Sequence, residues 1–124
     1  MSMVYDKSLI KSLGYSLEGI WHAFKHNRNL RIACFIGTIV LFFGWYLDVA
    51  SSEMIILVII VLTVIVAEMI NTSLEEIVNL VTSEHRKEAK IAKDVAAGMV
   101  LIAALGSVVV GGLVLTPYIL KLFY

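Results

Sequence analysis

The chain has 124 residues, 60% of them hydrophobic, with a single proline and a formal net charge of zero. A water-soluble domain is usually about 45–50% apolar, so this composition excludes an ordinary soluble globular protein and points to residence in a bilayer. Zero net charge gives no attraction to nucleic acid, and the length predicts one membrane domain over 1–124.

Residues 1–29 do not read as a span. Val4, Leu9, Leu13, Ile20, Trp21 and Phe24 form a broken apolar face, with Lys7, Lys11, Glu18 and Lys25 elsewhere. That pattern predicts an amphipathic helix lying on the membrane surface. Gly14 and Gly19 are points at which it can bend or admit another helix. The opening MSMVYDKSLIKSLGYS is too polar for a secretory signal, so the first span is expected to direct its own insertion.

Three membrane helices are predicted, over about 30–47, 54–81 and 95–116. The apolar part of the first runs from Ile32 to Leu47, with Trp45 and Tyr46 suited to headgroup level. Cys34 within it has no partner for an internal disulfide and reads as a packing residue. The second begins with the uncharged run Met54–Ala67 (MIILVIIVLTVIVA) and keeps its helical pattern through Val81. Those residues measure about 42 Å against a hydrocarbon core of about 30 Å, so the helix must project into water. The third starts near Val95, carries small residues at Ala103, Ser107 and Gly111, and is expected to end at Pro117. Tyr118, Lys121 and Tyr124 follow as interfacial anchors. Three spans enclose a site poorly, which favours a homo-oligomer.

Basic residues set the orientation. Lys7, Lys11, Lys25, Arg28 and Arg31 precede the first span, and Arg86, Lys87, Lys90 and Lys93 lie between the second and third. The segment from Asp48 to Glu53 has none. The N-terminus and the second connection are therefore expected on the cytoplasmic side.

The chemistry concentrates where the second helix leaves the apolar run. Glu68, Thr72, Glu75 and Asn79 fall within about 60° of one another at 100° per residue, with Asn71 on the flank. A carboxylate at the end of a membrane span is costly to desolvate and usually marks a site. The two acids stand about 10 Å apart along the axis, too far to share a proton. Glu68, partly desolvated, suits proton abstraction from a hydroxyl, while Glu75 in the wetter zone suits a hard cation such as Mg²⁺. Alternatively, both acids pair with Lys93 or Arg28 and only stabilise the helices. The following TSEHRKEAKIAKD supplies cations and donors fit for a polyphosphate, though alone it reads equally as a solvated loop. No GxxxxGK[ST] or GxGxxG is present, and His22, His26 and His85 have no metal-ligand spacing.

AEMINTSLEEIV, then TSEH, then AKDVAAGMVLIAA closely resemble the prokaryotic diacylglycerol kinase family, its undecaprenol kinase branch in particular, and the likeness spans roughly Lys7 to Gly111. The resemblance implies a homotrimer of three-span protomers in a bacterial inner membrane, transferring the γ-phosphate of ATP to a lipid alcohol with Mg²⁺. Matched by position, Glu68 falls on the catalytic base, Asn71 on its polar neighbour and Glu75 on the metal-binding carboxylate. Lys93, Asp94, Glu84, His85, Arg86 and Tyr15 fall on nucleotide contacts. The chain departs from the family at three places. Asn27 stands where a second metal-binding Glu is usual, Asn79 where Asp is usual, and Ala33 where the undecaprenol branch often has His. Two other functions compete with a lipid kinase: a small proton-coupled transporter, and a family member without catalysis that acts as a membrane-bound partner.

Overall fold

The computed structural model describes residues 8–124. Val4 and Lys7 of the surface-helix reading lie outside the described residues. Four helices follow one another: α1 (Leu9–His26), α2 (Arg28–Tyr46), α3 (Ser51–Val81) and α4 (Lys87–Leu120). The last three are long and apolar enough to cross a membrane.

One residue separates the first two helices. Asn27 is extended (φ −107°, ψ 105°). Its N–H closes α1 on the Ala23 carbonyl at 2.8 Å, and its side-chain oxygen accepts Leu30 N–H at 3.0 Å to open α2. An Asn side chain offers the short acceptor that an N-cap needs. The Arg31 guanidinium donates to the Phe24 and Lys25 carbonyls at 2.9 and 2.7 Å, satisfying groups that the end of α1 leaves open. The first membrane helix therefore starts at Arg28, ahead of Ile32. Gly14 and Gly19 neither bend α1 nor admit a neighbour from this chain, since both face open space in an unbroken helix.

The α2–α3 connection is a tight C-terminal cap. Asp48 takes a left-handed φ of 52°, Asp48 N–H reaches Trp45 O and Val49 N–H reaches Gly44 O. Those two bonds are the 5→2 and 6→1 pair of a Schellman motif, with Asp in the place that Gly usually fills. Between α3 and α4, the Thr82 hydroxyl accepts Glu84 N–H at 3.1 Å and turns the chain within five residues.

The helices of this hairpin are longer than the sequence pattern alone suggests. At 1.5 Å per residue, α3 (31 residues) and α4 (34 residues) measure about 46 and 51 Å, well beyond a 30 Å hydrocarbon core. α4 begins at Lys87, before the apolar stretch, because its first two turns carry ordinary helix formers, KEAKIAKD. Nor does Pro117 end it. In the last turn a proline removes only one internal bond, and Lys121 N–H still reaches Pro117 O at 3.3 Å.

α3 is the central element, with α2 and α4 packed on it and α1 touching α2 and α3. Close approach is built from small residues. Gly37 and Gly44, one heptad apart, are buried on α2. A Cβ at Gly37 would lie 2.6 Å from Val61 Cγ1, and one at Gly44 2.9 Å from Leu57 Cδ1. On the other side, Ser107 donates to Ala103 O at 2.8 Å and to Ile60 O at 3.2 Å, and Gly111 faces Ile60. The small-residue stripe of α4 thus meets α3. At the opposite end from the polar face, the Tyr118 hydroxyl donates to the Glu53 carboxylate and accepts Ala50 N–H, tying α4 to the start of α3. Large apolar side chains such as Phe35, Ile102 and Val108 remain about 70% exposed, a surface for lipid or a second protomer.

The glycines separate into two kinds. Gly37→Ala should lose about 1–3 kcal/mol by overpacking, with Val61→Ala restoring most of it, whereas Gly14→Ala should gain about 0.5–1 kcal/mol. Reversible unfolding in mixed detergent micelles measures all three.

Candidate functional site

Of the polar side chains described, Glu68 and Asn71 are the buried ones, at 5% and 8% exposure. They sit on the stretch of α3 where the apolar run gives way to polar residues. A groove of about 520 Å³ runs between α2, α3 and α4, walled by side chains such as Ile36, Val40, Val64, Val108 and Leu115. Glu68 is the one carboxylate in its lining, with Asn29 nearby among the few polar groups. The groove is thus apolar along its walls, with a buried carboxylate in its lining.

Asn27 holds the Glu68 carboxylate, and Thr72 holds its backbone carbonyl. Asn27 Nδ2 donates to Glu68 Oε2 at 3.2 Å and to Thr72 Oγ1 at 2.7 Å. The Thr72 hydroxyl in turn donates to the Glu68 backbone carbonyl at 3.0 Å. Among the described residues, no donor engages Glu68 Oε1. The carboxylate is therefore pinned through one oxygen and available through the other.

One turn further along, Asn71 Nδ2 donates to Glu75 Oε1 at 3.2 Å. Asn71 Oδ1 is buried without a hydrogen-bond partner, an arrangement that costs stability. Glu75 itself is exposed. Among the described residues, no three His, Cys, Asp or Glu side chains come together as a metal cluster. Mg²⁺ usually takes one or two carboxylates and completes its shell with water and phosphate oxygens. An exposed Glu75 beside the unsatisfied Asn71 carbonyl suits a Mg²⁺ of that kind.

The outer residues form a second tier. Lys93 Nζ donates to Asn79 Oδ1 at 2.8 Å, joining α4 to α3. Asp94 pairs with Lys90 at 2.5 Å, and Arg86 with Glu84 at 3.1 Å. His22 Nε2 stands 3.9 Å from Glu76 Oε1, so α1 comes against the same end of α3. Tyr15 and His85 are exposed, and no hydrogen bond or ion pair joins either to the carboxylates. The structure thus gathers Glu68, Asn71, Glu75, Asn27 and Thr72, with Lys93 and Asn79 beside them. Asn27, matched by resemblance to a metal position, touches Glu68 and Thr72 instead of Glu75. Its contact with Glu68 spans 41 residues of sequence, and no local pattern announces it.

The model of the family described as prokaryotic diacylglycerol kinase matches residues 14–115. A diacylglycerol kinase of Synechocystis sp. is 39% identical over 116 residues, which are 93% of this chain and 66% of that protein. An undecaprenol kinase of Bacillus subtilis is 32% identical over 107 residues, 86% of this chain and 87% of its own length. A diacylglycerol kinase of Haemophilus influenzae is 33% identical over 95 residues, 77% of this chain and 80% of its own. The chain spans slightly less than two thirds of the Synechocystis protein and most of the other two.

The orphaned Asn71 carbonyl makes that position unfavourable for stability. Asn71→Leu removes it while leaving the exposed Glu75 to water, and should raise folding stability by up to about 1 kcal/mol. A detergent unfolding curve for the variant beside the parent measures it.

Proposed function

The chain belongs to the prokaryotic diacylglycerol kinase family, and from that premise we propose that it is an integral-membrane lipid kinase moving the γ-phosphate of ATP to a lipid alcohol, undecaprenol or diacylglycerol. The observation that carries this reading is the placement of Glu68. A buried carboxylate closes an apolar groove between three membrane helices, with one oxygen held and the other available.

The lipid alcohol enters the groove from the side, its hydrocarbon against α2 and α4 and its hydroxyl at Glu68. Glu68 Oε1 accepts the hydroxyl proton as the oxygen attacks the γ-phosphorus and ADP departs. Lys93 approaches the phosphates with its charge undiminished, since its partner Asn79 is a neutral amide. Arg86 and Lys90 stand on the same end of the hairpin, each now held by a carboxylate that a polyphosphate can displace. Mg²⁺ bound at Glu75 would neutralise phosphate charge. Catalysis of this type is chiefly positioning and electrostatics, which suits a site with one base and several cations.

In the bilayer, the polar ends of α3 and α4 project from the cytoplasmic face of an inner membrane, where nine of the ten basic residues also fall. α1 lies along that surface, with Leu9, Leu13, Ile20 and Trp21 toward lipid; all four are exposed within this chain. Three protomers close the open sides of the grooves with their exposed apolar faces. The membrane helices encode no readable tail length, so diacylglycerol and undecaprenol are both assay substrates.

Glu68→Gln should keep the fold, because a glutamine oxygen can still accept from Asn27, yet reduce lipid phosphorylation by about 10²-fold or more. A panel of lipid alcohols with Mg·ATP measures it, and a Gln protein at the parent rate defeats the reading. Lys93→Met should raise KM for ATP by roughly tenfold, the worth of one charge-assisted bond.

A further inference from the structure

We infer that Asn27 is a positioning residue for the base Glu68, a neutral clamp in the place where the resemblance suggests a metal-binding acid. The inference builds on the proposed role of Glu68 and adds to it a residue from outside α3.

The orientation of the amide is fixed by its neighbours. Leu30 N–H, at the start of α2, can only donate, so the side-chain oxygen of Asn27 must face it. That leaves Nδ2 toward α3, where its two hydrogens have two acceptors, Glu68 Oε2 and Thr72 Oγ1. Thr72 spends its own hydrogen on the Glu68 carbonyl, so its oxygen is free to accept. Every bond in this chain of contacts runs in one direction, and reversing the amide breaks all three made by Asn27. The side chain thereby has both hydrogens and its oxygen engaged.

Position 27 is also where α1 stops and α2 starts. The clamp therefore links three helices: it closes α1, caps α2 and holds the carboxylate of α3. A carboxylate here could still accept from Leu30 N–H, but it would have no hydrogen for Glu68 and would set a like charge against a buried acid. Asn is the residue type that both caps a helix and donates to an anion at this reach.

The alternative role, a metal ligand on the nucleotide side, predicts the opposite sign for one substitution. Asn27→Asp keeps the N-cap and supplies a harder, charged oxygen. If Asn27 is a metal ligand, this variant should need less Mg²⁺ and turn over at least as fast. If Asn27 clamps Glu68, kcat should fall tenfold or more while the Mg²⁺ concentration for half-maximal rate and KM for ATP stay within twofold. Asn27→Ser, which also caps but bears no charge, should lose less kcat than Asn27→Asp. Unfolding temperatures give a reading independent of turnover: Asn27→Asp should unfold earlier than the parent, and adding Glu68→Gln should restore the loss. An Asn27→Asp protein with parent kcat, or one whose unfolding temperature does not respond to Glu68→Gln, overturns the inference. Full activity in Glu68→Gln alone would instead remove the base assignment, and the clamp's catalytic meaning with it.

Discussion

A carboxylate among membrane helices persists only where protein donors replace the water it has lost. The Asn27–Glu68 bond supplies one such donor here, and the arrangement of the site depends on it. Desolvating an anion costs far more than a single neutral hydrogen bond returns. The structure therefore gives Glu68 two polar partners, the Asn27 amide on its carboxylate and the Thr72 hydroxyl on its backbone carbonyl.

Length explains why such a site can exist in so short a chain. α2, with 19 residues, spans about 28 Å and does little more than cross the hydrocarbon. α3 and α4 exceed the hydrocarbon thickness by roughly 15–20 Å. The polar and charged residues of both helices gather at the end they share, where the five residues 82–86 connect them. Glu75, Asn79, Lys90 and Lys93 are carried there on helices, with Arg86 at the N-cap of α4. Placing the ionic tier on helices defines the spacing between Glu68 and the cations. The glycines of α2 and the small residues of α4 serve the same end, since they let both neighbours approach α3 closely enough to wall the groove.

Much of this was legible in the sequence because lipid imposes simple rules. Apolar run length gives the three spans, helical spacing gives the polar face of α3, and the motif from Glu68 to Asp94 gives the family. Helix ends were less legible. α4 starts at Lys87 because KEAKIAKD is a sound helix sequence whether or not lipid surrounds it, and apolarity cannot reveal a helix that continues into water. Pro117 misled for the related reason that proline is tolerated in a final turn, where little hydrogen bonding remains to break. Contacts between distant residues were not legible at all. FIGTIVLFFG contains Gly37 and Gly44 at heptad spacing, a signal for close packing that stands out only once Val61 and Leu57 are seen against them.

The asparagines show why charge at this site has to be judged from contacts and not from composition. Positions 27, 71 and 79 are all neutral amides, and each does something an acid could not do equally well. Asn27 donates to Glu68, and Asn71 donates to Glu75. Asn79 accepts from Lys93 without cancelling its charge, whereas an aspartate there would form an ion pair. Two carboxylates with neutral amides between them give a polar face that repels a polyanion less than a face of four acids would. On that electrostatic ground, replacing acids by amides is compatible with a working phosphoryl-transfer site, and the departures from the family pattern do not by themselves argue for its loss.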